Sequence, residues 1–320
     1  MTIFIVCGLA FWMGYSVNQG GTCAVATAHE ILHHRRPRLF IGLLAASATA
    51  GLVAVPLVWH GPGAAMLAGT VAPSITLVIG AIIFGIGATI NDACLLGSLG
   101  RLGEGELRLA LLPVGLAAGF LLTDACGLEG GRQLRDSPLA TPSTTGYVAL
   151  AAFAAALALA LAFVARSRPA AQPRGRWPLG LSMLVLGATG GALYATAPTW
   201  TYADLVHRSL PLAMSIENDV ALLTVAATVA GAVAAAYRRK RWNLRKGTGA
   251  DVARTLVGGL LMGAGAAVIP GGNDGLILAA IPALSSGGAL AYLLMLATIM
   301  TALALKRELS RRRGQRVDRL

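Results

Sequence analysis

A chain of 320 residues that is 56% hydrophobic and only 12% charged, with a mean hydropathy of +0.68, is excluded from the ordinary soluble globular class. A net charge of +12 would direct a soluble protein towards nucleic acid. Here the basic residues sit in short loops between apolar stretches, where they report membrane topology and not a nucleic-acid partner.

In chain order, nine stretches are long and apolar enough to span the hydrocarbon core: 1–32, 39–59, 72–99, 109–123, 147–165, 178–197, 215–237, 253–281 and 288–305. The first lacks a basic leading segment and an A-x-A cleavage site, so it reads as a span and not as a removable signal. The 40 glycines suit helices that approach closely in lipid. An odd span count puts the termini on opposite sides. With the C-terminus in the cytoplasm and the N-terminus outside, the inner loops collect Arg35, Arg36 and Arg38; Arg101 and Arg108; Arg166, Arg168, Arg174 and Arg176; and Arg238, Arg239, Lys240, Arg241, Arg245, Lys246 and Arg254. Seven more lie in the tail, making 23 of 26 Lys and Arg residues inside, with Arg132, Arg135 and Arg208 as exceptions. The reading is a multi-pass protein of a bacterial inner membrane, all-α, forming a single domain over 1–320.

Spans 1–32, 72–99 and 253–281 are longer than a bilayer needs, and each holds a glycine-rich interruption. These are Asn18-Gln19-Gly20-Gly21-Thr22-Cys23, Asn91-Asp92-Ala93-Cys94-Leu95-Leu96-Gly97 and Pro270-Gly271-Gly272-Asn273-Asp274-Gly275. Such sequences are expected where a helix breaks and its irregular backbone lines a cavity or is buried in protein. Gly85, Gly87 and Gly97 recur as Gly263, Gly265 and Gly275 at one offset of 178 residues. One span, 147–165, separates the repeat halves at about 1–123 and 178–305, so the copies run in opposite directions as an inverted repeat. A weaker echo sets Gly180 and Gly187 against Gly8 and Gly14. Broken helices in both halves are the pattern of a solute path at mid-membrane.

The breaks carry the polar and soft residues. A membrane cysteine on its own is a small hydrophobe. At a break, Cys23 and Cys94 could instead meet a sulphur-bearing anion, with helix N-terminal N–H groups supplying positive potential. Gln19, Asn91 and Asn273 are the polar liners of this reading, and Gly97, Gly271, Gly272 and Gly275 allow close backbone approach. Asp92 and Asp274 are expected deep in the membrane, where a carboxylate costs at least about 2.5 kcal/mol on insertion scales. They read as proton-coupling groups, as caps on half-helices, or as a cation or neutral-substrate site.

These residues resemble the YeeE/YedE family of sulfur-compound permeases, whose best-known substrate is thiosulfate. Gly14, Gln19 and Cys23 match its first helix. Gly85, Gly87, Cys94, Gly97 and Leu102-Gly103-Glu104-Gly105 match its central element, and Leu261-Met262-Gly263-Ala264-Gly265 its second half. The resemblance implies uptake of a small sulfur-containing anion, thiosulfate first, past cysteines that contact it through S–H groups. It implies no cofactor and no enzyme activity. The family's third cysteine position is Gly272 here, and its glycine before the central cysteine is Ala93.

Two rivals stand beside a permease. A membrane sulfur or selenium relay would hold a persulfide on Cys94 and pass it to a cytoplasmic sulfur carrier protein. His29-Glu30-Ile31-Leu32-His33 also fits the H-E-x-x-H motif of zinc proteases, although His60 and His207 are expected on the other side. The basic runs 238–241 and 311–313 read as snorkelling or lipid-headgroup contacts.

Overall fold

The computed structural model describes residues 2–61, 65–127, 134–167, 175–197, 206 and 216–317. Arg132, Arg168, Arg174, His207 and Arg208, used in the topology and metal arguments above, lie outside the described residues. The chain is almost wholly helical. Its helices are α1 (Thr2–Gly20), α2 (Ala24–His34), α3 (Arg38–His60), α4 (Ile75–Asn91), α5 (Leu95–Gly103) and α6 (Leu112–Ala125). There follow α7 (Thr144–Arg166), α8 (Leu179–Thr196), α9 (Ile216–Arg238), α10 (Gly249–Val268), the single turn α11 (Asn273–Gly275) and α12 (Ser286–Val317). A two-residue antiparallel ladder, β1 (Thr70–Val71) with β2 (Leu134–Arg135), ties two loops together. Nine candidate membrane spans occur among the described residues, in the places the hydropathy predicts.

All three long spans are interrupted. The first stops at Gly20, where Gly21 turns left-handed (φ 63°), and resumes as α2 at Ala24. The second stops at Asn91, where Asp92 takes the left-handed conformation (φ 62°), and resumes as α5. The third stops at Val268, passes Pro270 and the left-handed Gly271 (φ 73°), and resumes as α11, which runs on into a π-helical segment, Leu276–Ala280. Proline cannot continue a helix, and glycine enters the left-handed region without steric cost. Elsewhere the boundaries are made by side-chain caps: Ser74 accepts from Leu77 N, Ser143 from Gly146 N, and Thr248 with Asp251 forms a capping box.

Glycine sets the packing. Cβ atoms added at Gly80 and Gly87 of α4 would lie 3.2 Å from the Gly265 carbonyl and 2.7 Å from the Gly258 carbonyl of α10. The paired numbers rise on one helix and fall on the other, so α4 and α10 are antiparallel. On α6, Gly115 sits against Leu256 and Gly119 against Leu260, so α6 and α10 run parallel. Leu77 and Gly85 of α4 meet Gly287 and Met295 of α12, again in parallel. These directions fit strict alternation of the spans. In lipid the driving force is close dispersion contact, which small residues permit. The linking helix α7 stays at the periphery, with only 11% of its apolar window buried. It touches α3, where Phe153 covers Gly51 and Trp59 meets Tyr147.

Gly87→Ala is expected to cost about 1–3 kcal/mol, because the new methyl meets α10 backbone on a well-packed face. Gly8→Ala, with nothing within 4 Å of an added Cβ, is the control. Melting temperatures in detergent should fall for the first and hold or rise for the second.

Candidate functional site

The three restarted helices begin beside one another. Cys23 is the residue before α2 and Cys94 the residue before α5, both with extended backbone. Neither thiol caps its own helix. Each turns to the other's backbone instead: Ala24 N donates to Cys94 Sγ at 3.2 Å, and Cys94 N donates to Cys23 Sγ at 3.5 Å. The Cys94 thiol donates to the Cys23 sulphur at 3.4 Å. On the far side of Cys94, Asn273 Nδ2 donates to its sulphur at 3.3 Å, from the first position of α11. Two sulphurs and one carboxamide therefore form a continuous polar string between helices that are otherwise apolar. Cys94 is fully buried and Cys23 only partly so. Cys7 is partly buried and Cys126 exposed, and all four cysteines are free.

The glycines make this approach possible. A Cβ at Gly97 would overlap Cys23 Sγ, so the thiol needs glycine beneath it. A Cβ at Gly272 would overlap Leu95 Cδ1 and lie 2.6 Å from Asp274 Oδ1. Gly272 precedes α11 as Cys94 precedes α5, but the space a side chain would need at 272 holds Leu95. Gly275 packs near the Pro270 carbonyl and the Tyr194 hydroxyl. Asn273 Oδ1 and the hydroxyl of Tyr292, a residue 2% exposed, are buried without a hydrogen-bond partner among the described residues.

Other predicted residues lie elsewhere. Gln19 Oε1 accepts from Trp177 N at 3.0 Å and its Nε2 faces Tyr15, so it fastens a loop beside the thiols. Asn91 is saturated by Ala93 O, Ser98 Oγ and Arg108, and braces the second break. The two aspartates part company. Asp274 is 3% exposed and accepts from Tyr194 OH at 3.2 Å. The Asp92 side chain is 62% exposed and pairs with Arg101 at 3.2 Å, contrary to the deep placement expected of it. α4 runs unbroken to Asn91, and Asp92 takes the left-handed turn beyond its end.

A cavity of about 560 Å³ opens at the arginine-rich end of the bundle and reaches Cys23 and Gly97. His29, Glu30, Asp92, Arg101, Glu104 and Arg176 are among its lining residues. The Leu102-Gly103-Glu104-Gly105 strip docks the loop after α9: Asn243 N donates to Glu104 O and Arg245 N to Gly105 O. Arg239, read from sequence as a lipid-facing charge, proves to be buried. Its side chain is 3% exposed, and NH1 donates to Asn18 O, Asn18 Oδ1 and Glu104 Oε1. Internal acceptors at the end of α1 draw it inward. Burial holds the Arg239 guanidinium below its usual range, with Glu104 opposing and Arg241 adding to the shift. Arg176 is lowered by burial and by Arg239. Sequence reasoning missed Arg176, Tyr194 and Tyr292; two buried tyrosines in lipid-spanning helices were the available signal, since a phenol needs a partner or a purpose.

The H-E-x-x-H segment is used structurally. Glu30 Oε2 accepts from Leu39 N at 2.7 Å, next to the start of α3, and the His29 and His33 rings stack at 3.9 Å. No group of three His, Cys, Asp or Glu residues able to hold a metal occurs among the described residues. Among known proteins, a family model described as sulphur transport matches residues 19–301, a stretch that takes in the first break from Gln19 onward and the whole of the other two. No curated protein matches the chain.

Arg239→Gln is expected to lower stability by about 1.5–3 kcal/mol, the range for hydrogen bonds to a charged group. Combined with Glu104→Gln, the loss should be less than additive by at least about 0.5 kcal/mol. Detergent melting curves for the four proteins measure this; strict additivity would show the two side chains to be uncoupled.

Proposed function

The chain belongs to the sulphur transport family, a membrane transporter family, and on that footing we propose that it takes up a small sulphur-containing anion, thiosulfate first. The passage we assign lies where α2, α5 and α11 begin. The observation that carries it is the contact of Cys23 and Cys94 at 3.4 Å, with Asn273 on the second sulphur. A thiosulfate terminal sulphur is a soft, weakly basic acceptor, and S–H and carboxamide N–H donors match it. Its sulfonate-like oxygens need the N–H groups and positive dipole ends of short helices. The helix starts at Ala24, Leu95 and Asn273 offer both without placing a fixed charge in hydrocarbon.

An inverted repeat fits this reading. At the 178-residue offset Gly80 corresponds to Gly258 and Gly87 to Gly265. The contacts Gly80–Gly265 and Gly87–Gly258 therefore exchange with each other, as an isologous pair related by a two-fold would. At the same offset the bounds of α3 become those of α9. Gly272, the counterpart of Cys94, leaves two thiols and one carboxamide along the proposed passage. The arginine-rich end would face the cytoplasm of a bacterial inner membrane. Asp274, buried and hydrogen-bonded to Tyr194, is our choice for a coupling group, whereas Asp92 is exposed and pairs with Arg101.

A relay that keeps sulphur covalently on Cys94 for a cytoplasmic carrier is the second reading, because the same thiol would be its acceptor. Cells lacking other sulphur importers should accumulate radiolabelled thiosulfate when they express the wild type. Cys94→Ala should lose at least about tenfold of that rate, the worth of one lost specific contact in the passage. Asn273→Ala should lose several-fold. Intact-protein mass spectrometry after exposure to thiosulfate should find no added sulphur on Cys94; a stable adduct would favour the relay. Well-expressed wild type that takes up no thiosulfate would remove thiosulfate as the substrate.

A further inference from the structure

Arg176 is the anomaly of the cavity. Its Nε is buried with no hydrogen-bond partner, and none of its N–H groups bonds or ion-pairs with a described residue. A guanidinium carries five donors and stays charged at neutral pH, so leaving all of them without a protein acceptor is costly unless a ligand or solvent completes the set. The carboxylates lining the same cavity are already engaged. Asp92 holds Arg101, Glu104 holds Arg239, and Glu30 accepts from Leu39 N. Glu104 attracts Arg176 as well, but makes no hydrogen bond or salt bridge to it, so Arg176 is the lining arginine whose donors find no acceptor among the described residues, in the cavity that Cys23 enters.

Its position is built by several elements. Gln19, at the end of α1, accepts from Trp177 N, and the Trp177 ring lies 5.0 Å from Tyr15 and stacks at 6.3 Å on Trp12. This latch brings the loop before α8 across the first break. The guanidinium then lies over Gly21, where an added Cβ would come within 2.8 Å of Arg176 NH1. Left-handed Gly21 both turns the chain towards Cys23 and leaves room for the guanidinium. We propose that Arg176 is the anion-receiving residue of this cavity, holding the oxyanion end of a small sulphur anion while Cys23 meets its sulphur. Gln19 is a positioning residue that acts through Trp177. The inference rests on the cavity being part of the passage, and its charge chemistry is testable without transport.

The test is carried out on the purified full-length chain with Cys7→Ser and Cys126→Ser, labelling Cys23 with two methanethiosulfonates. One carries a sulfonate and the other a trimethylammonium group. In each reaction the Cys23 thiolate forms a disulfide with the reagent sulphur and methanesulfinate leaves. Mass spectrometry assigns the site, and the readout is the ratio of anionic to cationic labelling rates. Arg176→Gln should lower that ratio about tenfold, as expected for one nearby unit charge in a partly solvated cavity. Arg176→Lys should keep the ratio within about twofold, since the charge is retained. Gln19→Ala should lower it part-way, which loss of mere packing would not do. An unchanged ratio in Arg176→Gln overturns the assignment. If that variant does not elute as one sharp peak, the chain carrying only Cys7→Ser and Cys126→Ser decides. Its ratio should exceed that of the uncharged thiol 2-mercaptoethanol and fall with added salt; a ratio equal to that of 2-mercaptoethanol overturns the assignment. Thiosulfate uptake with an unchanged ratio removes Arg176 alone. A preserved charge preference without thiosulfate uptake removes thiosulfate and leaves the anion site standing.

Discussion

Backbone polarity in hydrocarbon is the constraint on which the rest of this structure depends. A helix that stops inside a membrane protein leaves carbonyls unpaired, and one that restarts there leaves N–H groups unpaired, and each must find a partner nearby. The chain interrupts three spans and sets their restarts side by side. At the first two restarts two of the acceptors are sulphurs. Ala24 and Cys94 donate their N–H groups to the thiol of the opposite helix, so each cysteine satisfies a terminus that is not its own. Sulphur accepts weakly and is easily polarised, so these N–H groups are only loosely held. A carboxylate or carbonyl in the same place would hold the N–H groups more firmly.

Glycine packing is what brings the restarts together. The α4–α10 contact, made through glycines on both helices, fixes the second and third breaks relative to each other. The first break is placed differently. It leans on the second through Gly97 under Cys23, and through Asn18, whose side chain donates to Gly100 O and accepts from Arg239. Arg239 thus ties the end of α1 to Glu104 in the strip that follows α5. This buried ionic link sits outside the thiol cluster and holds two of its three contributors in register. The soft centre is carried on a stiff frame of small residues and one internal cation.

Much of the architecture was legible because hydropathy and glycine are strong local signals. The span positions follow from apolar length, and the breaks from Gly21, Gly271 and Pro270, whose backbone preferences need no partner. The all-α class holds; β pairing among the described residues amounts to a two-residue ladder and a bridge between Glu106 and Arg245. What failed to show in the sequence depends on partners far along the chain. Gln19 looked like a liner because it precedes Cys23, but Trp177, over 150 residues away, claims its carbonyl. Arg239 and Arg176 were counted with topological charge, since nothing local distinguishes a buried arginine from its neighbours in a basic run. Asp92 was grouped with Asp274, but Arg101 in the restarted helix takes its carboxylate, a pairing that only the fold of the break creates.

Leu95 and Gly272 have a consequence for how this sequence can change. The leucine methyl stands where a side chain at 272 would go. Leu95 Cδ1 is the far end of a flexible side chain, so a side chain entering at 272 requires the leucine to turn aside or a shorter residue at 95. Positions 95 and 272 therefore share one space, and substitutions at the two are not independent of each other.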